Sequence, residues 1–343
     1  MTVVFRCNAG PSIGLGHLTR CRALAHALRV QGQQCIMVGP EYIYRKLEDS
    51  QTFDDWIPVT DWITESEDAE KILGIAQHYH ASWLVLDDYR IDEIYQRYIL
   101  TAGLRWLQFE VRADRPLWAD IIVNASPNAN SRFDKKNFKN KSSIILTGEK
   151  FCILRDDYTK KSRNNSSNFD DDNIFVCFGG CDDNGGIEFV LRVLSELDIS
   201  NSKVNIISGK SNPQIQRIKK IISTVNINNF SLLIEPVDFI SIFSNSKIAI
   251  ISGGTLVYEA AFLGVPSVII RTANNQLNSS TSYAHYAGDL FSGYKIENFK
   301  ALFSELYYNH EKLRRMSECG SYSVDGLGAS RIAGYMINSN PTN

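Results

Sequence analysis

The chain has 343 residues, too many for one ordinary core and well matched to two domains of about 150 residues each. With 36 basic and 38 acidic residues the formal net charge is −2. No positive field is available to hold nucleic acid or an anionic membrane, so a small-molecule partner is expected. The apolar runs fall short of the ~20 residues a spanning helix needs, and Met1 to Gly10 lacks a signal-peptide pattern. No membrane insertion and a cytoplasmic location are expected. Seven cysteines, at positions 7, 21, 35, 152, 177, 181 and 319, are scattered without a CxxC pair and read as reduced core residues.

In chain order, short β-branched runs alternate with longer helical patterns. Strands are expected at Val3 to Arg6, Cys35 to Val38, Leu84 to Leu86, Arg105 to Phe109 and Ile121 to Val123, with a helix over Gly16 to Gln31. Such alternation predicts a parallel sheet with crossover helices. Around Tyr158 to Asn173 the composition turns to Lys, Asn, Ser and Asp, which cannot bury much apolar surface and reads as a linker. The acidic run at 170–172 within it reads as solvated charge. The alternation then restarts, with strands at Ile174 to Phe178, Val204 to Ser208, Ser231 to Ile234, Ile248 to Ile251 and Val265 to Ile270. Helices are expected over Gly186 to Leu197 and Pro213 to Ser223. The boundaries expected are an N-terminal Rossmann-like domain over 1–158, a linker over 159–173 and a C-terminal Rossmann-like domain over 174–338. In such sheets ligands bind beyond the carboxyl ends of the strands.

Three strand-to-helix loops carry the candidate chemistry. The first, Gly10-Pro-Ser-Ile-Gly14-Leu-Gly16-His17, opens a helix with Leu18, Cys21, Ala25 and Leu28 on one face. Its glycines let the backbone approach a ligand, and a helix start offers amides to an anion. A tight packing turn is the plain alternative. The spacing is not GxGxxG, although Glu41 stands where a dinucleotide enzyme carries its ribose acid, so NAD binding is a weak reading. His17 lies in the first turn, where the macrodipole favours an uncharged imidazole, the form that activates water. Arg20, one turn on, is either a ligand contact or a solvated charge.

The second loop, Phe178-Gly179-Gly180-Cys181-Asp182-Asp183-Asn184-Gly185-Gly186, repeats the strand–glycine–helix arrangement and reads as a nucleotide cradle or a plain turn. In the third, Ser252-Gly253-Gly254-Thr255-Leu256-Val-Tyr-Glu259, Thr255 or Gly254 can cap a two-turn helix that Gly264 ends. Its amide end suits a diphosphate, and Glu259 is placed to accept two ribose hydroxyls, or simply to favour the helix start. The next strand runs into the polar stretch Arg271 to Gln276. Leu84-Val-Leu86-Asp87-Asp88-Tyr89 ends a first-domain strand with two acids and a phenol, equally open to a functional or a structural role.

The segments RCNAGPSIGLGHLTRCRALA, LVLDDY, ADIIVNASP, GEKFCILRDDY, FGGCDDNG, ISGGTLVYEAAFLGVPSVII, NNQ and DGLGASRIA, in that order, resemble one family across almost the whole chain. The chain is similar to the UDP-sugar hydrolases of pseudaminic acid biosynthesis, which remove UDP from UDP-2,4-diacetamido-2,4,6-trideoxy-L-altrose, and to their spore-coat relatives. The IGxGHxxR loop is the most specific element; TLVYEAAxLGVP also occurs in a wider set of GT-B glycosyltransferases. The resemblance implies a GT-B fold, two Rossmann-like domains facing each other across a cleft, with no metal and no cofactor. It implies water attack at the anomeric carbon of a UDP-sugar, with His17 activating the water and Tyr89 and Asn275 lining the sugar site. Ser252, Thr255, Leu256 and Glu259 would hold UDP; Gly14, Gly16, Arg20, Gly179, Gly180 and Gln276 complete the expected substrate-binding set. A monomer is expected. Asn8 stands where the family has Asp, Asp88 where it has His, and Glu110-Val111 where it has an acidic pair, so a different sugar or acceptor stays open. The competing readings are a GT-B glycosyltransferase and a non-catalytic nucleotide-sugar binder.

Overall fold

The computed structural model describes residues 1–10, 13–59, 64–110, 115–127, 129, 134–159, 172–180, 184–225, 229–273, 276, 279–290 and 296–339. Two compact units divide the chain. In the first, β1 (Thr2–Cys7), β2 (Gln34–Gly39), β3 (Asp55–Pro58), β4 (Trp83–Asp87), β5 (Arg105–Phe109), β6 (Ile121–Asn124) and β7 (Ile144–Thr147) form one sheet in the order β3-β2-β1-β4-β5-β6-β7. Every pairing is parallel. A parallel sheet is covered on both faces, which is why β1 is apolar almost without alternation. Val3, Phe5 and Cys7 pack with Leu18, Cys21, Leu24 and Leu28 of the Gly16–Val30 helix. Val4 points the other way, into a core with Ile72 of the Glu65–His78 helix and Tyr95 and Ile99 of the Glu93–Thr101 helix.

The second unit repeats the construction with β8 (Ile174–Cys177), β9 (Val204–Ser208), β10 (Phe230–Ile234), β11 (Ile248–Ile251), β12 (Ser267–Arg271) and β13 (Ala284–Asp289). Their order is β10-β9-β8-β11-β12-β13, again parallel throughout. Ile174, Val176, Ile206, Ile250 and Val268 bury one face under Val190, Leu191 and Leu194 of the Gly186–Leu194 helix. On the opposite face Phe175 stacks on Phe243, ring centroids 4.0 Å apart. In each sheet the chain starts in the middle, fills one side, then returns to fill the other, so β1/β4 and β8/β11 are the switch points where loops diverge and ligands are held.

The expected strands at Arg105 to Phe109, Val204 to Ser208 and Ile248 to Ile251 coincide with β5, β9 and β11. Sequence pattern missed β3, β7 and β13. Each is an edge strand with a single buried residue, the others being half-buried or exposed, so it lacks the apolar run that marks a central strand.

The far boundary of the second domain needs correction. The first unit comprises Met1–Thr159 together with Gly326–Asn343, and the second is Lys160–Asp325, so residues 326–338 do not end the second domain. The closing helix Gly328–Asn338 packs on the Gly16–Val30 helix, with Ile332, Ala333 and Met336 sharing a core with Leu24 and Leu28. Arg331 Nη1 also donates to the Lys150 carbonyl at 2.9 Å. Most of the expected linker lies outside the described residues. Asp172, expected in a solvated run, instead accepts from the buried Lys247 ammonium at 2.7 Å, which draws its carboxyl below the usual range. Among the described residues no helix is long and apolar enough to cross a membrane.

Trp56, Trp83, Trp106 and Trp118 lie in the first unit and no tryptophan falls in the second, so tryptophan fluorescence reports the unfolding of the first unit. Met336→Ala is expected to lower the stability read by tryptophan fluorescence in urea by about 2–5 kcal/mol, the cost of a buried large-to-small change. An unchanged midpoint would return the closing helix to the second unit.

Candidate active site

Pairing of β1 with β4 sets Cys7 beside Asp87 at the carboxyl end of the first sheet. Beyond β1 the chain pinches, Gly14 N–H donating to the Gly10 carbonyl at 2.7 Å, and enters the Gly16–Val30 helix. No side chain caps this helix, and Gly16 at its start is exposed. His17 turns inward and is 4 % exposed. Its Nδ1 lies 2.6 Å from Asp87 Oδ1. Arg20, one turn along, donates Nε to Asp87 Oδ2 at 2.9 Å and Nη2 to Oδ1 at 2.8 Å. Burial opposes ionisation of Asp87, but the Arg20 charge and the hydrogen bonds from His17 and Arg20 outweigh it and hold the carboxyl below its ordinary range. Tyr89, two residues past Asp87, sets its ring edge-on to the His17 ring with centroids 4.6 Å apart. The structure thus brings together two of the three expected catalytic side chains; the third, Asn275, lies outside the described residues.

The departures at Asn8 and Asp88 touch each other. Asn8 Nδ2 donates to Asp88 Oδ2 at 2.6 Å, and Arg6 Nη1 donates to Asn8 Oδ1 at 2.9 Å. Arg90 spans both oxygens of Asp88, Nε donating to Oδ1 at 3.0 Å and Nη2 to Oδ2, the oxygen shared with Asn8, at 2.9 Å. Glu110, buried, pairs with Arg115 at 2.6 Å; Val111 lies outside the described residues. Behind Asn8, the fully buried Arg6 guanidinium is held by Asp68 through Nη2 at 2.6 Å and Nε at 2.9 Å, and Asp68 also accepts from Tyr95 at 3.0 Å. Burial works against the Arg6 charge, and Asp68 overcomes it.

In the second unit the loops after β8 and β11 meet at the switch point, Ser252 N–H donating to the Cys177 carbonyl at 3.3 Å. Gly179 adopts φ +108°, a conformation open to glycine, and a Cβ on Gly209 would sit 2.0 Å from the Gly180 carbonyl oxygen. The glycine loop is therefore seated directly on the end of β9. Asn184 ties the same loop to the Thr272 carbonyl beyond β12 at 2.9 Å. Gln276 folds back on Thr272, accepting its N–H at 2.8 Å and donating to its hydroxyl at 3.1 Å, so its amide shapes this loop. Of the two capping candidates, Thr255 occupies the N-cap position of the Leu256–Leu263 helix but makes no side-chain capping bond, while Gly264 ends it in the left-handed conformation at φ +71° as expected. Glu259, in the first turn, is 6 % exposed, and Ser252 and Leu256 are buried beside it on the same loop and helix start.

Sequence reasoning left Asp87 undecided and did not single out Asp68 or Gly209. The available signal for Asp87 was its place as the last residue of a central strand; its partners became visible only with the sheet order. Asp68→Ala is expected to cost about 3–5 kcal/mol by tryptophan-monitored urea unfolding, because the buried Arg6 charge is left uncompensated. A loss under about 1 kcal/mol, the range of an exposed pair, would show that Arg6 reaches water without Asp68.

No protein-family model matches the chain. It is 24% identical to the UDP-2,4-diacetamido-2,4,6-trideoxy-beta-L-altropyranose hydrolase of Campylobacter jejuni, across 87% of this chain and 99% of that protein. To the spore coat polysaccharide biosynthesis protein SpsG of Bacillus subtilis it is 21% identical, across 97% and 96% of the two chains. Among solved structures, MurG of Acinetobacter baumannii superposes with a TM-score of 0.69 at 15% identity, covering 98% of this chain and 99% of that one. HepE of Anabaena, in complex with UDP and glucose, does so with a TM-score of 0.67 at 9% identity, covering 99% and 100%. The chain is therefore related in sequence to the altropyranose hydrolase and to SpsG, and its two parallel α/β units are those of the GT-B fold.

Proposed function

We propose that the chain is a UDP-sugar hydrolase in which His17 activates water for attack on the anomeric carbon, with a UDP-2,4-diacetamido-2,4,6-trideoxy-L-altrose as the substrate. The observation that carries the reading is the buried His17, one ring nitrogen bonded to the Asp87 carboxylate, at the switch point of the first sheet in a chain 24% identical to the altropyranose hydrolase. In this reading His17 Nε2 takes a proton from water, the water oxygen bonds to C1, and the C1–O bond to UDP breaks. UDP leaves with the bonding electrons, and a single displacement inverts the anomeric centre. Tyr89, packed on the His17 ring, and Asn275 would line the sugar pocket.

The second unit supplies the nucleotide side of the proposal. Glu259 would accept the ribose hydroxyls, and the helix start at Ser252, Thr255 and Leu256 would give amides to the diphosphate, where charge grows as the bond breaks. Gly179 and Gly180, seated on Gly209, would let backbone approach UDP closely. The glycines of the first loop, Gly14 and Gly16, would do the same beside His17, and Gln276 would act through the loop it holds. A role in surface polysaccharide assembly accords with the similarity to SpsG, a spore coat polysaccharide biosynthesis protein. Transfer to a sugar or lipid acceptor is the second reading, favoured by one observation: the bonded Asn8–Asp88 pair, fixed by Arg6 and Arg90, alters the polar groups next to His17 at positions where the hydrolase resemblance has Asp and His.

The test is incubation with the altrose donor, and separately with UDP-HexNAc donors, in 18O-labelled water without acceptor. Free UDP and a sugar labelled at C1 are expected, with turnover falling about 10²–10⁴-fold in His17→Ala, the range of a lost general base. UDP release only on adding an acceptor would replace hydrolysis by transfer, and label in the UDP phosphate would rule out attack at carbon. Turnover of UDP-HexNAc donors alone would overturn the altrose assignment.

A further inference from the structure

We propose that Asp87 is a positioning residue that fixes His17 in one tautomer, with Nε2 as its free base, and that Arg20 serves Asp87 rather than the substrate. The inference rests on the reading of His17 as the base and goes beyond it by naming what makes that base competent.

An ionised carboxylate only accepts hydrogen bonds, so the 2.6 Å contact between Asp87 Oδ1 and His17 Nδ1 requires the proton on Nδ1. In the neutral ring the lone pair then resides on Nε2. Arg20 Nη2 lies 3.1 Å from the same Nδ1, but both are donors, and Nη2 directs its proton to Asp87 Oδ1 at 2.8 Å. The two donors thus share one oxygen, and Arg20 Nε occupies the other at 2.9 Å.

The arrangement is held from two backbones. Asp87 is the last residue of β4 and is 1 % exposed, its Cα in register with Cys7 of β1. His17 and Arg20 stand three residues apart on one helix, on the same face, so both bonds tie the helix's first turn to the strand end. Tyr89 packs edge-on against the ring, and turning the imidazole over would give up the Nδ1 bond to Asp87. The Arg20 guanidinium, 5.6 Å from the Phe109 ring centroid, is stacked and bidentate, a geometry that fixes a carboxylate. A substrate contact would not require the Nε and Nη2 pairing with Asp87.

The experiment uses the full-length, 15N-labelled chain. Long-range 1H–15N correlation of the histidine rings, with His17 assigned by its loss in His17→Gln, is expected to show a protonated Nδ1 and a lone pair on Nε2. In Asp87→Asn the side-chain amide can donate to Nδ1, so the tautomer should reverse, with kcat for the donor falling about 10²–10⁴-fold. KM should stay within about 3-fold, the mark of an interaction acting on the chemical step. Arg20→Gln should lower kcat by about 10-fold with KM unchanged, weakening the clamp without removing it. A native His17 protonated on Nε2 overturns the proposal, and needs no Asp87 variant to fold. So does a folded Asp87→Asn with near-native kcat; a raised KM alone in Arg20→Gln returns Arg20 to the substrate. If the native protein turns over no nucleotide sugar, the hydrolase reading fails, while the ring spectrum still decides whether Asp87 sets the tautomer.

Discussion

The pairing of β1 with β4 is the constraint on which the first unit's chemistry depends. Had the chain simply added strands in order, β1 would have ended at an edge and the loop carrying His17 would have had no neighbouring strand end on that side. Instead β2 and β3 fall to one side and β4 to β7 to the other, so crossover helices leave in opposite directions and the strand ends between them stay uncovered by connections. The second unit obeys the same rule at β8 and β11, which sets the glycine loop beside the Ser252 loop. The two switch points, similar in construction, carry different groups: a histidine and paired acids at one, glycines and a helix start at the other.

Charge at the first sheet's edge is arranged so that burial can be tolerated. Asp87, Asp88 and Glu110 are each nearly inaccessible to water, and each is bonded to an arginine, Arg20, Arg90 and Arg115. Burial works to raise the Asp87 carboxyl, but the Arg20 charge and the bonds from His17 and Arg20 hold it below its ordinary range, a fixed acceptor that the neighbouring imidazole can use. The Arg6–Asp68–Tyr95 set, deeper still, extends the same arrangement under Asn8, so a polar network adjoins His17 alongside the apolar packing of its helix. Networks of this type hold geometry at the cost of stability if one member is lost.

Much of this was legible in the sequence, for identifiable reasons. Glycine loops, central strands and the histidine at a helix start are local features, since backbone freedom, β-branching and position in a turn are written within a few residues. Asp87 was not legible because its meaning depends on the neighbour of β4, and adjacent acids read alike in a string. In the strand end they diverge: Asp87 meets the Gly16–Val30 helix, whereas Asp88 meets Asn8. The closing helix was misplaced for a similar reason. Its apolar residues Ile332, Ala333 and Met336 show that it needs a partner surface, but nothing local says that the surface is a helix at the other end of the chain.

The Asn8–Asp88 bond shows why the two sequence departures are one change in physical terms. Asn8 accepts from Arg6 through its carbonyl and donates to Asp88 through its amide, a role that a carboxylate could not fill, having no donor. An aspartate at position 8 facing Asp88 would set two like charges within hydrogen-bonding distance, which burial makes costly. Asp88 in turn accepts from Asn8 and Arg90, a task for an anion and not for a cation. Each residue is thus suited to the other, and the altered pair keeps the wall beside Tyr89 fully bonded while exchanging the donors and acceptors that it offers. The polar groups beside His17 can therefore change through this pair without any change to His17 or Asp87.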